Sequence, residues 1–91
     1  MPRPKLCRKV DIQPKSFYFK PRGIPLFKLS EISLSREELE AINLKDFKDL
    51  SQNEAACIMK TSQSTFQRIV ALARKKIAKS LIEGKALRIE K

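Results

Sequence analysis

Ninety-one residues allow one domain near the lower limit for a self-sufficient core. With 42% hydrophobic and 33% charged residues, the composition is that of a folded domain rather than a disordered chain, and no apolar run nears the roughly 20 residues of a membrane span. The balance of 20 Lys and Arg against 10 Asp and Glu, with no histidine, argues against catalysis or a zinc site and points toward a polyanionic partner.

In chain order, MPRPKLCRK is positive but is not followed by the apolar stretch of a signal peptide, so a cytoplasmic location is expected. Arg3, Lys5, Arg8 and Lys9 form a basic arm. It reads either as an extended segment lying on phosphates or entering a minor groove, or equally as a solubilising end. Pro2, Pro4, Pro14, Pro21 and Pro25 exclude a helix through most of residues 1–34. SFYFK (16–20) has the β-propensity of a short strand, ended by Pro21 and Gly23. Tyr18 and Phe19 then read as core or strand residues, with base stacking as the lesser alternative. Leu26, Phe27, Leu29 and Ile32 are expected to pack beneath the helices that follow.

Ser35-Arg36-Glu37-Glu38 is a capping box, and Leu39, Ile42 and Phe47 follow at near-helical spacing, predicting a helix over 36–48. Ser51-Gln52-Asn53-Glu54 is a second box, opening a helix over 52–59 that is rich in small residues. Cys57, between Ala56 and Ile58, reads as a reduced packing thiol; with Cys7 far away in sequence, no CxxC metal pair exists. Lys60-Thr61 form a brief turn. Ser62 caps a third helix over 63–83, whose stripe is Phe66, Ile69, Val70, Ala73, Ile77 and Leu81, and Gly84 stops it. The tail 85–91 is too short for a helix and long enough for a strand pairing with the N-terminal one. The fold class expected is mainly α: a three-helix domain over 35–84 behind a Pro-rich, partly extended N-terminal segment.

A short helix, a tight turn and a longer helix make the layout of a helix-turn-helix. Ala55 and Ala56 let the helices approach, and Met59, Phe66 and Ile69 close the angle. With Phe66 at zero on the wheel, Ser64, Arg68 and Lys75 lie about 160–200° away, with Gln67 and Ala71 on the flank. Gln63, Ser64, Gln67 and Arg68 are therefore the candidate base contacts in duplex DNA, since amides pair with adenine and guanidinium with guanine. Gln52, Lys60, Ser62, Thr65, Arg74 and Lys75 are the candidate phosphate contacts. Charge supports the same ligand. Residues 1–30 carry 8 basic and 1 acidic side chains, residues 31–56 carry 3 and 7, and residues 57–91 carry 9 and 2.

MPRPKLCRKV, YFKPRGIPL, LEAINLKDFKDLSQNEAACIM, STFQRIVALARKKIA and GKALRIE, in this order, resemble a small prokaryotic family of uncharacterised proteins thought to bind DNA. The middle part is similar to the fourth conserved region of sigma factors, which reads promoter DNA in the major groove. The resemblance implies a helix-turn-helix fold and a duplex ligand. Family members commonly carry Met-Gly-Val where this chain has Met59-Lys60-Thr61. The expected function is sequence-specific DNA binding in transcriptional regulation, by a module small enough to call for a homodimer. An RNA- or ribosome-associated protein and a protein-interaction adaptor are the alternatives. No cofactor, metal, membrane or small-molecule ligand is expected.

Overall fold

The computed structural model describes residues 9–91. Three helices and a small mixed sheet follow in the order β1 (Tyr18–Phe19), β2 (Glu31–Leu34), α1 (Arg36–Ile42), α2 (Gln52–Ile58), α3 (Gln63–Glu83) and β3 (Ala86–Ile89). Each helix begins where a serine side chain can accept an otherwise orphaned backbone N–H. Ser35 Oγ accepts from Glu38 N at 3.1 Å while Glu38 Oε1 accepts from Ser35 N at 2.8 Å. Ser51 and Glu54 repeat the reciprocal pair at 3.1 Å in both directions. Ser62 Oγ accepts from Thr65 N. α3 ends at Gly84, whose φ of +67° suits a residue without Cβ.

The first helix departs from expectation. Only Arg36–Ile42 is α-helical, and Asn43–Phe47 widen into a π-helical turn, with Lys48 N donating to Asn43 O at 2.8 Å. The wider turn holds an extra residue, so later side chains fall behind the α register. Leu44 is consequently buried, and Phe47, expected inside, is 83% exposed. Asp49, at φ +58°, then turns the chain toward α2; Asp is among the few residues tolerated there.

The sheet has the order β1-β3-β2. β3 pairs antiparallel with β1, Tyr18 opposite Arg88, and parallel with β2, Ile32 opposite Leu87. The β1–β3 pairing joins the two ends of the domain as the sequence suggested, whereas β2 is unforeseen. Its Leu34 is buried, but Leu26 and Phe27 lie outside at 59% and 84% exposure rather than beneath the helices.

Two apolar clusters result. One lies between the helices: Ala41, Leu44, Ala55, Ala56, Met59, Phe66 and Val70. The other lies between α3 and the sheet: Leu34, Ala73 and Ile89, flanked by Phe17 and Leu87. Ile42 packs against both. Two expectations about packing are corrected. Cys57 is exposed rather than packed. Leu81 is exposed too, because Ser80 takes the inward position and its hydroxyl donates to Lys85 O at 2.7 Å, tying down the turn into β3.

A strap precedes the sheet. Glu40, 3% exposed, accepts from Asp11 N and Ile12 N at 2.8 and 2.9 Å and from Asn43 Nδ2 at 3.1 Å. Arg36 Nη2 donates to Ile12 O at 2.6 Å. A buried carboxylate survives only with such partners. Among the described residues no helix is long and apolar enough to cross a membrane.

Candidate nucleic-acid interface

The α2–α3 pair is held close by small and apolar side chains together. Ala55, Met59 and Phe66 are all 0% exposed, so the two helix backbones approach over alanine and lock on the phenyl ring and thioether. The turn between them closes with Lys60 N donating to Cys57 O at 3.1 Å and Thr61 N to Ala56 O at 3.0 Å. That is a Schellman motif with Lys60, at φ +57°, in the left-handed place usually held by glycine. The departure at Lys60-Thr61 thus keeps the turn, at the cost of strain in one residue.

With Phe66 pinned inward, the polar side chains of the first turns of α3 divide into two groups. Ser64, Gln67 and Arg68 are exposed, as are Ala71 and Lys75 further along. Gln67, Arg68 and Lys75 find no hydrogen-bonding or ionic partner among the described residues. Ser64 Oγ lies 3.3 Å from Ser62 Oγ. The second group is engaged within the protein. Gln63 Nε2 donates to Asn53 Oδ1 at 3.1 Å, and Gln52 Nε2 donates to Gln63 O at 3.2 Å, stitching the start of α2 to the start of α3. Ser62 Oγ donates to Thr65 Oγ1 at 2.9 Å, leaving the half-buried Thr65 turned toward its own cap.

Lys60 is exposed at the turn. Arg74 is exposed but committed: its Nε and Nη2 reach the two oxygens of Asp46 at 3.0 and 2.6 Å. The guanidinium holds the Asp46 carboxyl below its ordinary value, and the carboxylate raises Arg74 further. The sequence offered no signal for this pair, nor for Asn53 as the partner of Gln63.

Lys9 belongs to the same neighbourhood. Its backbone N–H donates to Met59 O at 3.1 Å, and its Nζ stands 3.7 Å from Asp11. The chain therefore enters the domain beside the α2–α3 turn. Arg3, Lys5, Arg8 and Cys7 lie outside the described residues. Two shallow hollows, of about 360 and 340 Å3, are lined by other residues, among them Ile12, Leu50 and Ile58 in the first and Phe19, Pro21 and Leu81 in the second. Among the described residues no three His, Cys, Asp or Glu side chains converge as metal ligands.

Comparison with other proteins places the chain in a family. The chain is 51% identical over 90 residues to a UPF0251 protein of Thermoanaerobacter sp. (strain X514), covering 99% of this chain and 80% of the relative. It is 54% identical over 90 residues to UPF0251 proteins of Caldanaerobacter subterraneus subsp. tengcongensis and Dehalococcoides mccartyi (strain 195), again 99% of this chain and 76% and 77% of theirs. No solved structure matches it significantly. The family model described as "Protein of unknown function DUF134" matches residues 1–91, and the chain belongs to that family.

Proposed function

We propose that this protein binds double-stranded DNA with sequence specificity, inserting the first turns of α3 into the major groove as the recognition helix of a helix-turn-helix like that of sigma region 4. One observation carries the reading: Phe66 is fully buried, while Gln67 and Arg68 on the outward side are exposed and unpartnered. An amide and a guanidinium projecting together from one helix are the side chains that read adenine and guanine edges. Ser64 completes the outward face. Lys60 and Lys75 suit phosphates on either side, and the free N–H groups at the start of α3 suit another. Gln63, held by Asn53, acts first as a bracket between helices and reads a base only with its remaining amide hydrogen-bonding capacity.

The role is that of a cytoplasmic transcriptional regulator rather than an enzyme. A single module of this size covers little DNA, about 600–1,000 Å2 of protein surface, so two copies on paired half-sites are the working assembly. The test is selection of bound duplexes from a random pool. Gln67→Ala and Arg68→Ala should each cost about 1–3 kcal/mol at the preferred site and relax the preference at one position. Lys75→Ala should weaken all duplexes alike and lower the salt slope by about one unit. Equal affinity for random RNA and DNA would replace this reading with an RNA- or ribosome-associated protein. No binding to either at low salt would leave a protein-interaction adaptor.

A further inference from the structure

Arg74 sits on the flank of α3 that also carries Gln67, about 20° away around the helix and two turns further along, roughly 10 Å. At that place a cation would meet the phosphate backbone beside a groove entered by Gln67. Yet Arg74 is treated differently from its neighbours. Among the described residues Arg68 and Lys75 have no acidic partner, and Lys79 has only the charge of Glu83, one turn on along the same helix. Lys76 has one, but it points inward to the buried Glu38 at 2.7 Å and to Ser33 O. Arg74 alone on the outer side of α3 is held at both ends of a carboxylate. The pair is solvent-exposed, 51% for Arg74 and 40% for Asp46, so no demand of burial requires it. Asp46 comes from the π-helical turn, 28 residues away in sequence, between Lys45 and Lys48. A fork-to-fork pair has the geometry with which guanidinium binds a phosphate. The carboxylate therefore occupies the Nε–Nη2 edge of Arg74, one of the two forked edges a phosphate could use, and neutralises the charge that would draw a phosphate to the other.

We propose that Asp46 is a charge guard: it withholds Arg74 from the DNA backbone and so restrains sequence-independent affinity. The inference rests on the duplex-binding reading above and adds a residue that sets its selectivity. Sequence-independent binding scales with the number of phosphates neutralised, whereas base reading does not. A strongly basic protein that must choose among sites gains discrimination by taking one cation out of the phosphate count. Asp46 acts through Arg74, by neutralising its guanidinium, without touching a base.

The experiment uses the full chain and a duplex of mixed sequence, with affinity measured by fluorescence anisotropy across a salt series. Asp46→Ala and the isosteric Asp46→Asn are compared with wild type, Arg74→Ala and the double variant Asp46→Ala/Arg74→Ala. Circular dichroism and thermal melting check that each variant is folded. Release of Arg74 predicts about three- to tenfold tighter binding of the mixed duplex at low salt, and a slope of log K against log salt steeper by about 0.9, one phosphate contact. Both changes should vanish in the double variant. Asp46→Glu, which keeps the charge, should behave as wild type. If wild type binds duplex but both Asp46 variants bind unchanged or more weakly, with the slope unaltered, Asp46 is a structural or positioning partner and the guard is refuted. A gain that survives in the double variant refutes the part assigned to Arg74. If wild type binds no duplex under any condition, the DNA-binding reading itself fails, and the guard with it.

Discussion

Replacing Glu40 by alanine should destabilise the domain by about 2–4 kcal/mol, a large share of the 5–15 kcal/mol typical of small domains. Glu40 Oε1 accepts two backbone N–H groups, from Asp11 and Ile12, and Oε2 accepts the Asn43 amide, all within 3.1 Å. Hydrogen bonds to a charged group contribute about 1.5–3 kcal/mol each, and an orphaned buried donor costs about 1–3 kcal/mol. The simple sum is an upper limit, because Asp11 is exposed and Ile12 only half-buried, so water can reach the strap once it peels from α1. Glu40→Gln separates charge from shape. Its carbonyl can keep both backbone donors, but its NH2 then faces the Asn43 amide, which must turn over. About 1–2 kcal/mol is expected for this variant. Urea unfolding gives the global cost, and amide hydrogen exchange at Asp11 and Ile12 gives the local one, tenfold faster for each 1.4 kcal/mol lost by the strap. The order wild type, Gln, Ala in both measurements supports the reasoning. An alanine variant within about 0.5 kcal/mol of wild type, with protection at Asp11 and Ile12 unchanged, refutes it.

Phe66→Ala should cost about 3–5 kcal/mol in denaturant titration, while Phe47→Ala, at an exposed aromatic, should stay within about 0.5 kcal/mol of wild type. Lys60→Gly should raise thermal stability by about 0.5–1 kcal/mol, since glycine takes the positive φ without strain. Glu54 titrates below the ordinary value of 4.5, chiefly because the Ser51 backbone N–H and then the Ser51 hydroxyl favour its ionised form. Its depressed folded pKa means that its contribution is present above pH 4.5 and is lost as the pH falls through the folded value. The carboxyl resonance followed by NMR should have its midpoint below 4.5 in wild type, and disrupting the capping box with Ser51→Pro should move it upward.

The features legible in the sequence were those specified by a few neighbouring residues. Ser35, Ser51 and Ser62 each announce a helix because the cap, its target N–H and, in two cases, the reciprocal glutamate lie within four positions. Gly84 announces the stop by its missing Cβ. The inward ring of Phe66 and outward Arg68 follow from helical period alone. At Leu81 residue type was the poorer guide. Ser80 lies nearer the buried stripe on the wheel, and the hydroxyl is accommodated because Lys85 O accepts its hydrogen bond. The π turn had no such local mark, since NLKDF would also suit an α-helix. Phe47 was misplaced as a result.

What stayed hidden depends on residues that meet only after folding. The strand EISL is short and hardly alternates, and its pairing with ALRI spans the whole helical part of the chain. Glu40 looks like a surface residue of an acidic helix until Asp11 and Ile12 are brought against it. Asp46 and Arg74 share the same fate. These hidden contacts act on the candidate interface from behind. The Glu40 strap carries the chain to Lys9, whose N–H meets the Met59 carbonyl at the α2–α3 turn. The Asp46 clamp joins the π turn to the outer side of α3. Local sequence thus makes the candidate recognition helix, while long-range polar contacts determine which cations stand free beside it, and a charge count along the chain overstates that number.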